Sequence, residues 1–206
     1  MNYLIFGASG ATGQILTAQA LNDHRVTAFV RDPASLQPKP NLTLAQGDVT
    51  DYESVRAALN GQTFDVVFSA LGSRHRGKDR LNTVGTGHIV RAMRATGHTR
   101  LIVLSSLGVA DAFNSWFTRK ILVGFLLKEP HEDTRGMEKA VRESGLDYTL
   151  VRPPRLLNSP FTGAYRVATS PPAKRLNQIA RADVAHFMLR VAEKGEFNRT
   201  AVAIGY

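Results

Sequence analysis

Seven residues near the amino terminus, Gly7-Ala8-Ser9-Gly10-Ala11-Thr12-Gly13, constrain this chain more than any other stretch. They stand between an apolar run, Asn2 to Phe6, and a segment with helical spacing, Gln14 to Asn22. Glycines in that setting do three things: one makes a tight turn, one lets backbone N–H groups approach an anion, and one lets the helix pack closely on the strand. The positive end of the helix dipole faces the same point. Gly7, Ser9, Gly10, Ala11, Thr12 and Gly13 are therefore expected to cradle the diphosphate of a dinucleotide.

The remainder of the chain repeats this strand-to-helix rhythm. Val26 to Val30, Leu42 to Gln46, Phe64 to Leu71, Leu101 to Ser106 and Tyr148 to Arg152 are near-continuous in hydrophobicity, as strands covered on both faces must be. Tyr52 to Leu59, Thr86 to Arg94 and Thr134 to Ser144 carry helical spacing. Short links between such units predict one α/β domain over residues 1–206, a Rossmann-type doubly wound parallel sheet with helices on both faces. Asn22, Gly61, Gly97 and Gly145 stand where helices should stop, and Thr50 with Glu53 resembles a capping box.

Two regions break the rhythm. The segment Asp111 to Lys128 spaces Phe113, Trp116, Phe117, Ile121, Leu122, Phe125 and Leu126 three and four apart, which predicts an amphipathic helix that either packs on the core or a second copy, or covers a pocket. Asn158 to Gln178, with Pro160, Gly163, Pro171 and Pro172, reads as a long loop with a short hairpin around Ala164 to Ala168. Residues 73–82, 107–130 and 153–178 are the expected pocket loops.

The carboxyl ends of the predicted strands carry the candidate ligand contacts. Arg31 ends the second strand, where an arginine accommodates a ribose 2′-phosphate and an acidic residue would take the 2′-hydroxyl; Asp32 follows it. Asp48 and Val49 follow the third strand, and Asp48 either accepts from an adenine amino group or starts the next helix. Leu71 and Gly72 end the fourth, with Gly72 leaving room for a ribose; Ser105 and Ser106 end the fifth, under the expected nicotinamide. Arg155 stands beyond the sixth, and Arg74, Arg76, Lys78 and Arg80 alternate in the loop after the fourth. These arginines suit carboxylates or phosphates, and equally a solvated surface.

Composition excludes several classes. The net charge of +9 is spread evenly, with 11 basic against 7 acidic residues in the first hundred and 15 against 10 thereafter, so no basic stripe or tail points to nucleic acid. No run approaches the roughly 18 apolar residues of a membrane span. The absence of cysteine removes disulfides and thiolate chemistry. The six histidines lack ligand spacing, so no metal is expected, and His186 reads as a packed helix residue. No signal peptide is evident, and a cytoplasmic location is the expectation.

The spacing G-x-x-G-x-x-G is associated with short-chain dehydrogenases and their atypical relatives. Together with VRD, GDV, LGSR, SS, ESGLDYTLVRPPRL, SPFTGAYRV and ADVAHFMLR, it makes the chain resemble the biliverdin-IXβ reductase (flavin reductase) family over nearly its whole length. That resemblance implies a monomeric NADPH-dependent reductase of flavins, as substrates rather than prosthetic groups, and of linear tetrapyrroles. It implies that Ser106 is the active-site serine. It also implies that Gly7, Gly10, Thr12, Gly13, Arg31, Asp48, Gly72, Arg74, Pro153 and Pro154 are cofactor contacts. Arg155 replaces a histidine of the family's human member, and the segment Asp111 to Lys128 departs from the pattern.

The superfamily's usual acid is the tyrosine of Y-x-x-x-K, and near its place this chain has Arg135-Gly-Met-Glu-Lys139, without tyrosine. A ketone reductase would lack its proton donor, a contribution of about 10²- to 10⁴-fold. Flavins and bilins reduce that demand, because their rings spread or share the charge left by hydride, and proximity then dominates. Ser106 is expected to orient the rings and relay a proton. A regulator of the NmrA-like type, binding NADP(H) without turnover, is the alternative. A nucleotide-sugar epimerase relative is disfavoured by chain length and the missing tyrosine.

Overall fold

A computed structural model describes residues 1–72, 79–109, 128–170 and 176–206. The elements, in order, are β1 (Asn2–Phe6), α1 (Ala11–Ala20), β2 (Arg25–Val30), β3 (Leu42–Gln46), α2 (Tyr52–Leu59), β4 (Val66–Ser69), α3 (Leu81–Thr96) and β5 (Arg100–Leu104). They continue with α4 (Lys128–Arg142), β6 (Asp147–Arg152), β7 (Arg155–Leu157), β8 (Arg166–Ala168), β9 (Gln178–Ala180), α5 (Arg181–Lys194) and β10 (Thr200–Gly205). Eight strands form one sheet in the order β3-β2-β1-β4-β5-β6-β10-β8. All neighbours are parallel except β8, which runs antiparallel to β10. The strand order reverses between β1 and β4, the crevice where doubly wound sheets bind ligands.

Burial follows the alternation of side chains across the sheet. Tyr3, Ile5, Val26, Ala28, Phe68 and Ile102 face α1 and α5, packing on Leu16, Ala20, Val184, Phe187 and Met188. Leu4, Phe6, Phe29, Val67, Leu101 and Val103 face α2, α3 and α4, packing on Val55, Leu59, Ile89, Met93, Met137 and Val141. Two apolar layers on one sheet explain why the strands read as continuous hydrophobic runs, each large buried side chain contributing about 1.5–3 kcal/mol.

Several boundaries differ from the sequence expectations. The fourth and fifth strands are shorter, so Leu71, Ser105 and Ser106 lie in the loops beyond them. Helix α2 is capped by Asp51, whose carboxylate accepts from the Glu53 and Ser54 amides, rather than by Thr50. The reason is local: the Thr50 hydroxyl is engaged by Asp48 at 2.8 Å. Helix α1 ends at Ala20, with Leu21 rather than Asn22 as its cap. Gly97 caps α3 in the left-handed conformation as expected, φ 79. The anticipated hairpin at 164–168 is instead β8 closing the sheet edge against β10. Short β7 and β9 form a separate parallel pair. The amphipathic stretch from Asp111 lies outside the described residues up to position 127.

Helix α3 begins five residues earlier than its pattern suggests, because another helix caps it. Arg80, its N-cap residue, has φ 49 and supplies no side-chain cap. The carboxylate of Asp133, on α4, accepts from the Asn82 and Thr83 amides instead. The two helices touch at Gly136, where a β-carbon would lie 2.4 Å from Thr83 Oγ1.

Candidate functional site

The loop Gly7 to Gly10 is built by contacts that leave no room for side chains. Gly7 has φ +76, and a β-carbon on it would lie 2.6 Å from the Ala70 carbonyl oxygen on the neighbouring strand end. The Gly10 amide donates to the Gly7 carbonyl at 2.9 Å, closing the turn. On Gly13 a β-carbon would fall 2.0 Å from that same carbonyl oxygen, so the first turn of α1 lies directly on the loop. Gly10 is the N-cap of α1 and, among the described residues, no side chain caps the helix. The amides of its first turn therefore retain their capacity to bind an anion, with the helix dipole behind them.

A cleft runs from this loop across the β1–β4 crossing, lined by Gly7, Ser9, Gly10, Arg31, Asp48, Val49, Leu71 and Gly72, with Phe29 and Leu81 at its walls. Sequence reasoning placed eight of those residues there. Arg31 is exposed on the rim. The Asp32 carboxylate accepts from the Ala34 amide at 2.9 Å and caps the short turn Pro33–Ser35. Of the two roles expected of Asp48, the structure shows the start of the turn into α2. Its Oδ1 accepts from the Thr50 amide and hydroxyl, at 2.9 and 2.8 Å, starting the turn into α2. The Thr50 amide, its hydroxyl and the nearby Arg31 charge hold the Asp48 carboxyl below its ordinary range, against the burial that raises it. Arg74, with Ser73 to Lys78, lies outside the described residues.

The other expected site residues, Ser105, Ser106, Pro153, Pro154 and Arg155, stand together past β5 and β6 and are not among the residues that line this cleft. The Ser105 amide donates to the Val151 carbonyl at 2.7 Å, and Leu107 donates to Pro153 at 2.8 Å, so the two chains stay paired beyond the strands. Ser106 Oγ accepts from the Gly108 amide at 3.2 Å. The bond uses an oxygen lone pair and leaves the hydroxyl proton available to a ligand. His131 of α4 sits 3.0 Å from the Gly108 carbonyl and holds this turn in place. Pro153 is buried, Pro154 half-buried, and Arg155 exposed.

Helix α4 carries the Arg135 to Lys139 stretch, and the last two residues of that stretch face opposite ways. Lys139 is exposed and approaches Glu143, 4.0 Å away, so it is a surface residue. Glu138, beside it, points inward: its Oε1 accepts from Ser105 Oγ at 2.6 Å and from Arg152 Nε at 2.8 Å. Arg152 Nη2 reaches Oε2 at 2.5 Å, and Arg142 lies 3.5 Å from the same oxygen. Burial raises the Glu138 pKa, but these partners more than offset it and keep the carboxyl below its usual range. Sequence reasoning missed this residue, although a glutamate on the apolar stripe of Met137 and Val141 is a readable signal.

His186 is half-buried on α5, 2.8 Å from the Tyr165 hydroxyl and against Phe161, as a packed helix residue. Among the described residues, no group of three or more His, Cys, Asp or Glu side chains is placed to hold a metal, and no helix is long and apolar enough to cross a membrane.

Fold and cleft together define a dinucleotide-binding protein of the doubly wound kind. The NAD(P)H-binding family model matches residues 7–194, and the chain belongs to that family. Relatives include the uncharacterized sugar epimerase YhfK of Bacillus subtilis, 30% identical, with 97% of this chain and 92% of that protein covered. An uncharacterized chloroplastic protein of Arabidopsis thaliana is 31% identical over 77% of this chain, which spans 60% of its length. Similar folds occur in a short-chain dehydrogenase/reductase of Veillonella parvula in complex with NADP (TM-score 0.82, 23% identity, 100% of this chain and 94% of that one). ChuY, an anaerobillin reductase of Escherichia coli O157:H7, is also similar (TM-score 0.80, 23% identity, 100% and 97%).

Proposed function

We propose that the protein is an NADPH-dependent reductase that delivers hydride to a flavin or to a linear tetrapyrrole such as biliverdin. The observation that carries this reading is the Ser106 hydroxyl, which accepts from Gly108 and keeps its proton for a ligand at the end of β5. The glycine cradle fits a dinucleotide diphosphate, because side chains at Gly7 or Gly13 would occupy the space of backbone atoms. Arg31 on the cleft rim, with Asp32 turned to its own cap, favours a 2′-phosphate over a free 2′-hydroxyl. Bound NADPH supplies the hydride. Ser106 orients the acceptor and passes a proton to it, and the paired ends of β5 and β6 hold the two ring faces in register. Arg155, exposed just past β6, meets a propionate or phosphate of the acceptor in this reading. The likeness to ChuY, whose name gives a bilin reductase, agrees with a tetrapyrrole in this role.

The test follows NADPH absorbance with the purified protein and either FMN or biliverdin. Steady oxidation is expected with at least one acceptor. Tight NADPH binding without turnover on either favours the NmrA-like sensor, a reading that the missing tyrosine of Y-x-x-x-K also accommodates.

A further inference from the structure

Glu138 fastens the two strand ends that carry the reacting half of the site. Through Ser105 Oγ it holds the residue before Ser106, and through the Arg152 fork it holds the residue before Pro153. Glu138 is only 5% exposed. A buried ion pair of this kind adds little net stability compared with apolar packing, since desolvation of both charges opposes their attraction. What it does supply is fixed geometry: a bidentate guanidinium–carboxylate pair defines direction as well as distance. Nor is the placement a by-product of the core, because Met137 and Val141 already fill that stripe.

We infer that Glu138 is a positioning residue for the nicotinamide half of the dinucleotide site, acting through Ser105 and Arg152 on the Ser106 and Pro153 segments. The inference rests on the cofactor reading above. In that reading the adenosine half lies by Arg31 and Asp48, at the other end of the cleft, and the diphosphate bridges the two over α1. Glu138 touches neither half. Its influence should therefore be confined to ligands that extend as far as β5 and β6.

That asymmetry gives the experiment. Dissociation constants are measured by calorimetry for NADPH and for adenosine 2′,5′-bisphosphate, which retains the adenosine half and lacks the nicotinamide. Glu138→Gln places an amide N–H₂ against one of its donors; it should weaken NADPH about tenfold or more while changing the bisphosphate by less than about twofold. Should that variant fail to fold, Ser105→Ala deletes a single hydroxyl and should show the same split at about threefold. Equal weakening of both ligands, or unchanged NADPH affinity in a folded variant, overturns the inference alone. Failure of the unaltered protein to bind NADPH removes the cofactor reading, and this inference with it.

Discussion

Asp133 caps a helix fifty residues away in sequence: its carboxylate takes the backbone amides of Asn82 and Thr83, at 3.1 and 2.8 Å, at the start of α3. The Thr83 hydroxyl returns a bond to the Asp133 carbonyl at 2.8 Å. Removing the carboxylate leaves two helix-end amides without their acceptor in a part-buried place. Asp133→Ala should cost about 2 kcal/mol, and Asp133→Asn about half as much, read from urea midpoints at constant slope. An unchanged midpoint for the alanine variant would show that water replaces the cap.

Asp183 gathers four donors while fully buried: the amides of Thr162 and Gly163, the Thr162 hydroxyl and the Tyr206 hydroxyl. Burial raises its pKa, but those bonds outweigh burial and leave it below the ordinary 3.8. A carboxyl whose folded pKa is depressed adds stability above its unfolded value and loses it as pH falls through the folded one. The stability gap between the protein and Asp183→Asn should thus be widest near neutrality and narrow below about pH 3.8. Parallel stability curves from pH 7 to pH 3 would contradict it.

Gly13, in the first turn of α1, and Gly72, in the cleft lining, should behave oppositely. Gly13→Ala forces a β-carbon onto the Gly7 carbonyl and should destabilise the fold by about 1–3 kcal/mol while abolishing tight NADPH binding. At Gly72 a β-carbon meets nothing within 4 Å. Gly72→Ala should leave stability within about 0.5 kcal/mol and weaken only the nucleotide, by calorimetry, if a ribose passes there.

Arg31→Ala should raise the dissociation constant for NADPH by about 10- to 150-fold and that for NADH far less, the range expected of a charge-assisted bond. Equal losses would remove Arg31 from 2′-phosphate recognition.

Ser106→Ala should lower turnover about tenfold with NADPH binding intact, since water can take over the relay of a proton. Complete loss of turnover would make Ser106 an essential acid instead.

What the linear sequence determined is the layered α/β plan and the residues that line the cleft at the β1–β4 crossing. Apolar runs covered on both faces, the glycine loop between β1 and α1, and Arg31 at the end of β2 are all local patterns, because a parallel strand and a tight anion-binding turn impose their demands on neighbouring residues. Tertiary structure alone decided the partners of Asp133, Glu138 and Asp183, and which of Glu138 and Lys139 faces the site. It also decided that β8 joins the sheet edge rather than forming a hairpin. Each of these depends on a hydrogen-bonding choice among several acceptors or donors within reach, and the chosen partner lies tens of residues away or on another element. A buried polar group must find some partner, but only the folded arrangement of α3, α4, α5 and the strand ends settles which one.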